Sequence, residues 1–242
     1  MRLFPIFTGL FVAVLMISQV TAVKPVQWRG LAITGADLIF PLSYLLGDLV
    51  TEVYGFRRSR VVIWTGLAAN VLLSLAVFAV GGMPGAPDWV AAGGQEAWDM
   101  LLGLTPRIAV ASLLAYFAGE FVNAYVLARM KVRTRGRFLG LRTIGSSLVG
   151  QAVDSLIFFP VAYWGAWPWT LILHIMVVAY VVKVGVEVVL TPVVYVLVAI
   201  VKRVTGMDVY DHDTRFNPFD VRLENEEQPA DPAPGTKGHG GR

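Results

Sequence analysis

The chain has 242 residues, of which 56% are hydrophobic and only 15% charged. A soluble domain of that size carries about 25% charged residues, so the excess apolar content asks for lipid rather than for a buried core. Cysteine is absent and His174, His212 and His239 show no ligand spacing, which excludes disulfides, thiolate chemistry and common metal sites. The net charge of +3 hides a tail from Asp208 onward with eight acids against four basic residues.

Six apolar runs of spanning length predict six transmembrane helices, at about 3–23, 31–53, 59–81, 107–129, 143–163 and 174–203. The first is expected to stay uncleaved despite Val20-Thr21-Ala22, because its apolar run exceeds a signal peptide's core. Pro41 and Ser43 interrupt the second run, and Pro192 is expected to kink the sixth. Arg2, Arg57, Arg58, Arg60, Arg129, Lys131, Arg133, Arg135, Arg137, Arg142, Lys202 and Arg203 fall on one side, against Lys24, Arg29 and Arg107 on the other. The positive-inside rule then places both termini in the cytoplasm.

The loop 82–106, with Asp88, Glu96 and Asp99, is expected outside. The turn holding Trp164, Trp167 and Trp169 reads as an interfacial aromatic belt. Residues 1–207 form the membrane domain. Residues 208–225 mix aromatics with charges and are expected to pack on the cytoplasmic helix ends, whereas 226–242 read as a disordered tail.

Polar residues recur near the helix centres. Asn70 marks the third segment, Glu120 and Asn123 the fourth, Gln151 and Asp154 the fifth, and Lys183 and Glu187 the sixth. The second carries Asp37, Asp48 and Glu52. A charge at the bilayer centre costs about 2.5–3.5 kcal/mol even on lenient scales, so these residues must face one another or a wet cavity. The pairs 120/123, 151/154, 183/187 and 48/52 each share one helix face. Lys183 is expected to pair with Asp154 or Glu187. One reading is a structural network that locks helices together. The other is a transport site at mid-membrane beside a broken helix. Asp48 and Glu52 lie nearer the cytoplasmic end, where a gate role in contact with water is expected.

No phosphate-binding loop and no nucleophile–base pair is apparent, so neither an ATPase nor another enzyme is expected. The basic residues flank apolar runs, which points to lipid and not nucleic acid as the partner.

The stretches DLIFPLSYLLGDLVTEVYGFRRSR (37–60), GEFVNAYVLARMK (119–131), RTIGSSLVGQAVDSLIFF (142–159), KVGVEVVLTPVVY (183–195) and VYDHDTRFNPF (209–219) resemble the queuosine precursor transporter family, also called the vitamin uptake transporter family. The resemblance implies an inner-membrane importer of 7-deazaguanines, such as 7-cyano-7-deazaguanine, 7-aminomethyl-7-deazaguanine or queuine, with Asp154 and Lys183 at the site. For such a substrate, a buried carboxylate would take ring N–H and amine donors. Gln151, Asn70 or Asn123 would serve the remaining edge, and Phe40, Tyr44, Phe117 or Phe158 would cover the ring. The alternative is a substrate-binding membrane subunit served by a separate ATPase. No cofactor is expected, and a homo-oligomer remains open.

Overall fold

Within lipid a chain can satisfy its backbone N–H and C=O groups only by itself, so long apolar runs become helices. The computed structural model describes residues 3–28, 31–103, 106–212 and 214–220. In chain order it contains α1 (Phe4–Thr21), β1 (Pro25–Trp28), β2 (Leu31–Thr34), α2 (Gly35–Ile39), α3 (Pro41–Tyr54), α4 (Phe56–Gly81), α5 (Pro87–Ala91), α6 (Gly94–Leu102), α7 (Pro106–Arg133), α8 (Leu139–Tyr163) and α9 (Trp169–Thr205). Among the described residues, five stretches are long and apolar enough to cross a membrane: α1, α4, the region Gly94–Arg133 that holds α6 and α7, α8 and α9.

The run expected as a second span, 31–53, is not one helix. It begins as β2, which pairs antiparallel with β1 from Pro25 opposite Thr34 to Trp28 opposite Leu31. This hairpin is the departure from an all-helical chain. Helix α2 then starts on a reciprocal cap, with Thr34 N–H donating to Asp37 Oδ2 at 2.8 Å and Asp37 N–H donating to Thr34 Oγ1 at 3.3 Å. Asp37 is thereby explained as a capping residue. Pro41 lacks an N–H, and the chain restarts there as the 14-residue α3.

Helices α3 and α4 are joined by Gly55 alone, at φ +81°. Glycine adopts that angle without steric cost, and a Cβ there would also lie 2.8 Å from Val209 Cγ1. Phe4 at the start of α1 packs edge-on against Tyr54 at the end of α3, with ring centroids 5.4 Å apart. At the opposite end Arg107 of α7 donates to the carbonyls of Val161 and Trp164 at 2.6 and 2.5 Å. There Tyr163 and Trp167 stack at 4.2 Å, while Trp164 and Trp169 are exposed. Helix α9 spans about 55 Å at 1.5 Å per residue, well beyond a bilayer core of about 30 Å. It continues unbroken through Pro192.

The distribution of side chains is inverted relative to a water-soluble protein. Leu72, Leu75 and Phe78 on α4 and Val189, Val193 and Val196 on α9 are exposed, whereas Asp48, Glu52, Glu120, Asn123, Gln151, Asp154 and Glu187 are buried. A lipid solvent selects that arrangement, since polar groups gain partners only inside the bundle. The apolar core joins Phe11 and Leu15 of α1, Leu45 and Leu49 of α3, Ile63 of α4, Phe121 of α7 and Val194 of α9.

Candidate functional site

Two buried polar layers are stacked along the bundle. The deeper one links α3 to α7 and α8 to α9. Ser43 Oγ donates to Glu120 Oε1 at 3.3 Å, and Asn123 Nδ2 donates to Asp48 Oδ1 at 2.8 Å. The rising order on both helices means that α3 and α7 run parallel. Across the other pair, Gln151 Nε2 donates to Glu187 Oε2 at 2.5 Å and Lys183 Nζ donates to Asp154 Oδ2 at 3.1 Å. The crossed order follows from antiparallel helices. Of the two carboxylates open to Lys183, its bond goes to Asp154; its ammonium also sits 5.0 Å from the Phe40 ring centroid.

The halves meet where α7 and α8 come closest. A Cβ at Gly150 would lie 2.7 Å from Asn123 Cβ and 2.9 Å from the Gly119 carbonyl oxygen. Small residues at both positions let the two backbones approach, and Tyr44 fills the remaining space. A Cβ at Gly119 would lie 2.8 Å from the Tyr44 hydroxyl. Tyr44 is fully buried.

Several atoms in this layer have no hydrogen-bond partner: Tyr44 OH, Asp48 Oδ2, Gln151 Oε1, Ser155 Oγ and Glu187 Oε1. Buried polar groups are almost always paired, so this cluster of exceptions marks the layer as a candidate site. Beside it, a crevice between α8 and α9 too tight for a water molecule is lined by Ser147, Leu148, Val184, Glu187 and Val188 among others.

The second layer lies toward Gly55 and is centred on Glu52. Its Oε1 accepts from Lys202 Nζ at 2.7 Å and Arg142 Nη2 at 3.0 Å, with Lys131 Nζ at 3.6 Å. Lys131 also donates to the Glu52 carbonyl and, at 2.7 Å, to the carbonyl of Val209. Asp208 bridges Lys131 and Lys202 at 2.5 and 2.9 Å. Partial burial opposes its charge, but the hydrogen bonds from those two lysines outweigh this and hold its carboxyl below the usual range.

Beyond Asp208 the chain runs over the same helix ends. Arg60 Nη1 donates to the Asn217 carbonyl at 2.7 Å and Trp64 Nε1 to the Pro218 carbonyl at 2.8 Å. Phe216 packs on Phe56 at 5.0 Å. Residues 213 and 221–225 of the segment expected to pack there, and the tail expected at 226–242, lie outside the described residues.

Seven of the expected residues thus share the deeper layer: Asp48, Glu120, Asn123, Gln151, Asp154, Lys183 and Glu187. Two others do not join it. Asn70 accepts from Gln19 at 3.2 Å, on α1, and Phe158 packs with Phe159 and Tyr163 at the Trp-rich end. Glu52, expected to meet water, is 0% exposed, with three cations around it, of which Lys131 and Lys202 are themselves bonded to Asp208 and Lys131 also to Val209. Tyr44 had appeared only as a ring to cover the substrate; nothing in the sequence marked its hydroxyl as central. Lys131 and Arg142 had counted only as cytoplasmic charges. Among the described residues, no group of three or more His, Asp or Glu is placed to hold a metal ion.

Comparison with known proteins adds the context. Residues 34–197 match a family model described as a putative vitamin uptake transporter. The chain is 29% identical over 191 residues to a protein of Bacillus subtilis (strain 168) named as a probable queuosine precursor transporter, covering 77% of this chain and 82% of that one. It is 27% identical over 140 residues to the queuosine precursor transporter of Escherichia coli (strain K12), covering 58% and 59% respectively. No solved structure matches the chain.

Proposed function

The chain belongs to the vitamin uptake transporter family, and from that premise we propose that it imports 7-deazaguanine precursors of queuosine across the inner membrane. It does so through six passes, the second made of α2 and α3, with both termini in the cytoplasm. The names of the two relatives support the substrate class. The observation that carries the reading to particular residues is the set of unpartnered buried atoms around Tyr44, Asp48, Gln151, Ser155 and Glu187.

A deazaguanine offers ring N–H and exocyclic amine donors next to a carbonyl acceptor. Gln151 Oε1 accepts from the ring edge, and the free carboxylate oxygens of Asp48 and Glu187 are open to a further amine donor. The hydroxyls of Tyr44 and Ser155 can donate to the carbonyl. Asp154 pairs with Lys183 and holds its ammonium beside the Phe40 ring. Glu52 and its cations close the cytoplasmic side behind the substrate.

The test is uptake of labelled 7-deazaguanines by cells unable to make them. Expression of the chain is expected to raise uptake well above an empty-vector control. Uptake equal to the control, with the protein present in the membrane, would remove the proposal.

A further inference from the structure

With its carboxyl groups ionised, the deeper layer is out of balance in charge. Asp48, Glu120, Asp154 and Glu187 are each at most 5% exposed. Among the described residues, Lys183 is the cation bonded to any of the four, and Asp154 takes it. The other three are served by neutral groups: Asn123 for Asp48, Ser43 for Glu120, and Gln151, with Ser147 nearby, for Glu187. One turn toward Gly55, the cations Lys131, Arg142 and Lys202 are held by Glu52 and Asp208.

The layer is out of balance in donors too. An ionised Asp48 Oδ2 and an ionised Glu187 Oε1 accept only, as does Gln151 Oε1, and all three lack a partner. Against them stand two unpartnered hydroxyls, Tyr44 and Ser155, with one hydrogen each. The nitrogens without partners, Arg60 Nε and Arg142 Nε, belong to the Gly55 end. An occupant that completes this layer therefore brings positive charge and several N–H donors together. A primary ammonium has three donors and no acceptor, and it bonds carboxylates about twice as strongly as a neutral donor does.

We propose that the site selects cationic, amine-bearing members of its substrate class, 7-deazaguanines with a protonated aminomethyl group, over neutral members such as the nitrile. This rests on the import reading and narrows it. The ammonium lies between Asp48 and Glu187, one helical turn nearer Gly55 than Tyr44 on α3 and than the Asp154–Lys183 pair on α8 and α9. A nitrile at the same place offers an acceptor to acceptors and leaves both carboxylates without a counter-charge.

The test compares uptake of labelled 7-aminomethyl- and 7-cyano-7-deazaguanine, separately and in competition, by cells that make neither. The parent chain is expected to prefer the amine by about tenfold or more, the worth of one charge-assisted bond. Glu187→Gln and Asp48→Asn keep shape and remove charge, and each is expected to bring the ratio toward one. A parent ratio at or below one overturns the proposal, as does a ratio unmoved in variants that insert normally, since the carboxylates would then hold protons and not face the amine. Should neither variant insert, the parent ratio alone decides. Uptake of the nitrile alone overturns this inference and leaves import standing. Uptake of neither compound overturns both.

Discussion

The carboxylate of Asp211 accepts the backbone N–H of Phe56 through both oxygens, at 3.2 and 3.0 Å, from 155 positions further along the chain. Helix α4 starts directly after Gly55, which has no side chain with which to cap it. Asp211 supplies the missing acceptor and places negative charge at the positive end of the helix. Thr214 Oγ1 donates to the same carboxylate at 2.8 Å and fixes its orientation.

Asp211→Ala is expected to lower stability by about 1 kcal/mol, the usual worth of an N-cap. Asp211→Asn should retain much of it, because the amide oxygen still accepts. Thermal unfolding of the purified protein in detergent distinguishes the two. Coincident midpoints for the parent and the alanine variant would show that the contact contributes nothing.

Glu52 is the hub of the Gly55 end. Glu52→Gln leaves Lys131, Arg142 and Lys202 around a neutral amide. Removing one partner of a buried ion pair costs roughly 3–5 kcal/mol, less here because a quarter of the Lys202 side chain is exposed. The expected result is a sharp fall in folded yield, partly restored by adding Lys202→Met. The double variant measured against both singles gives the coupling. A yield equal to the parent's for Glu52→Gln alone would contradict the hub assignment.

Gly150→Ala tests the closest approach of α7 and α8. The added methyl would meet Asn123 Cβ and a backbone oxygen, neither of which can swing aside as the tip of a long side chain does. Overpacking of this kind typically costs about 1–3 kcal/mol. Gly145→Ala is the control, since its nearest neighbour is the flexible Met130 side chain at 3.3 Å. Equal stability of the two variants would mean that the bundle relaxes freely at Gly150.

Asp154→Asn keeps the shape of the α8–α9 contact and leaves Lys183 without its carboxylate. Uptake at matched membrane abundance is expected to fall at least tenfold, since a bond to a buried charge is worth about 1.5–3 kcal/mol. Lys183→Met should reduce abundance as well, and combining the two should recover abundance without recovering uptake. Parental uptake by Asp154→Asn would make that carboxylate purely structural.

The proposed six-pass arrangement is open to reporter fusions. A reporter active only in the cytoplasm is expected to work after Arg60, Lys131 and Arg203 and to fail after Asp88. Activity in the Asp88 fusion would reverse the orientation.

The sequence alone determined that this chain lives in a bilayer and that its helices carry ionisable groups near their centres. Both properties are local. Hydropathy adds up along a run, and spacing places Glu120 with Asn123, or Gln151 with Asp154, on one helix face. Partner choice is not local, because it depends on how helices rotate and slide against each other. Lys183 had two carboxylates within reach along the chain, and only the packing of α8 on α9 gave it Asp154. Asn70 lies near the centre of its helix, yet α4 presents it to Gln19 of α1. Lys131 and Arg142 looked like charges in water at the membrane surface, but four chain segments converge there and bury both against Glu52. The break at Pro41 was legible, since a missing N–H is written in the residue itself. The placement of the Tyr44 hydroxyl among four carboxylates was not, because Gly119 and Gly150 make that space only when α7 and α8 are brought together.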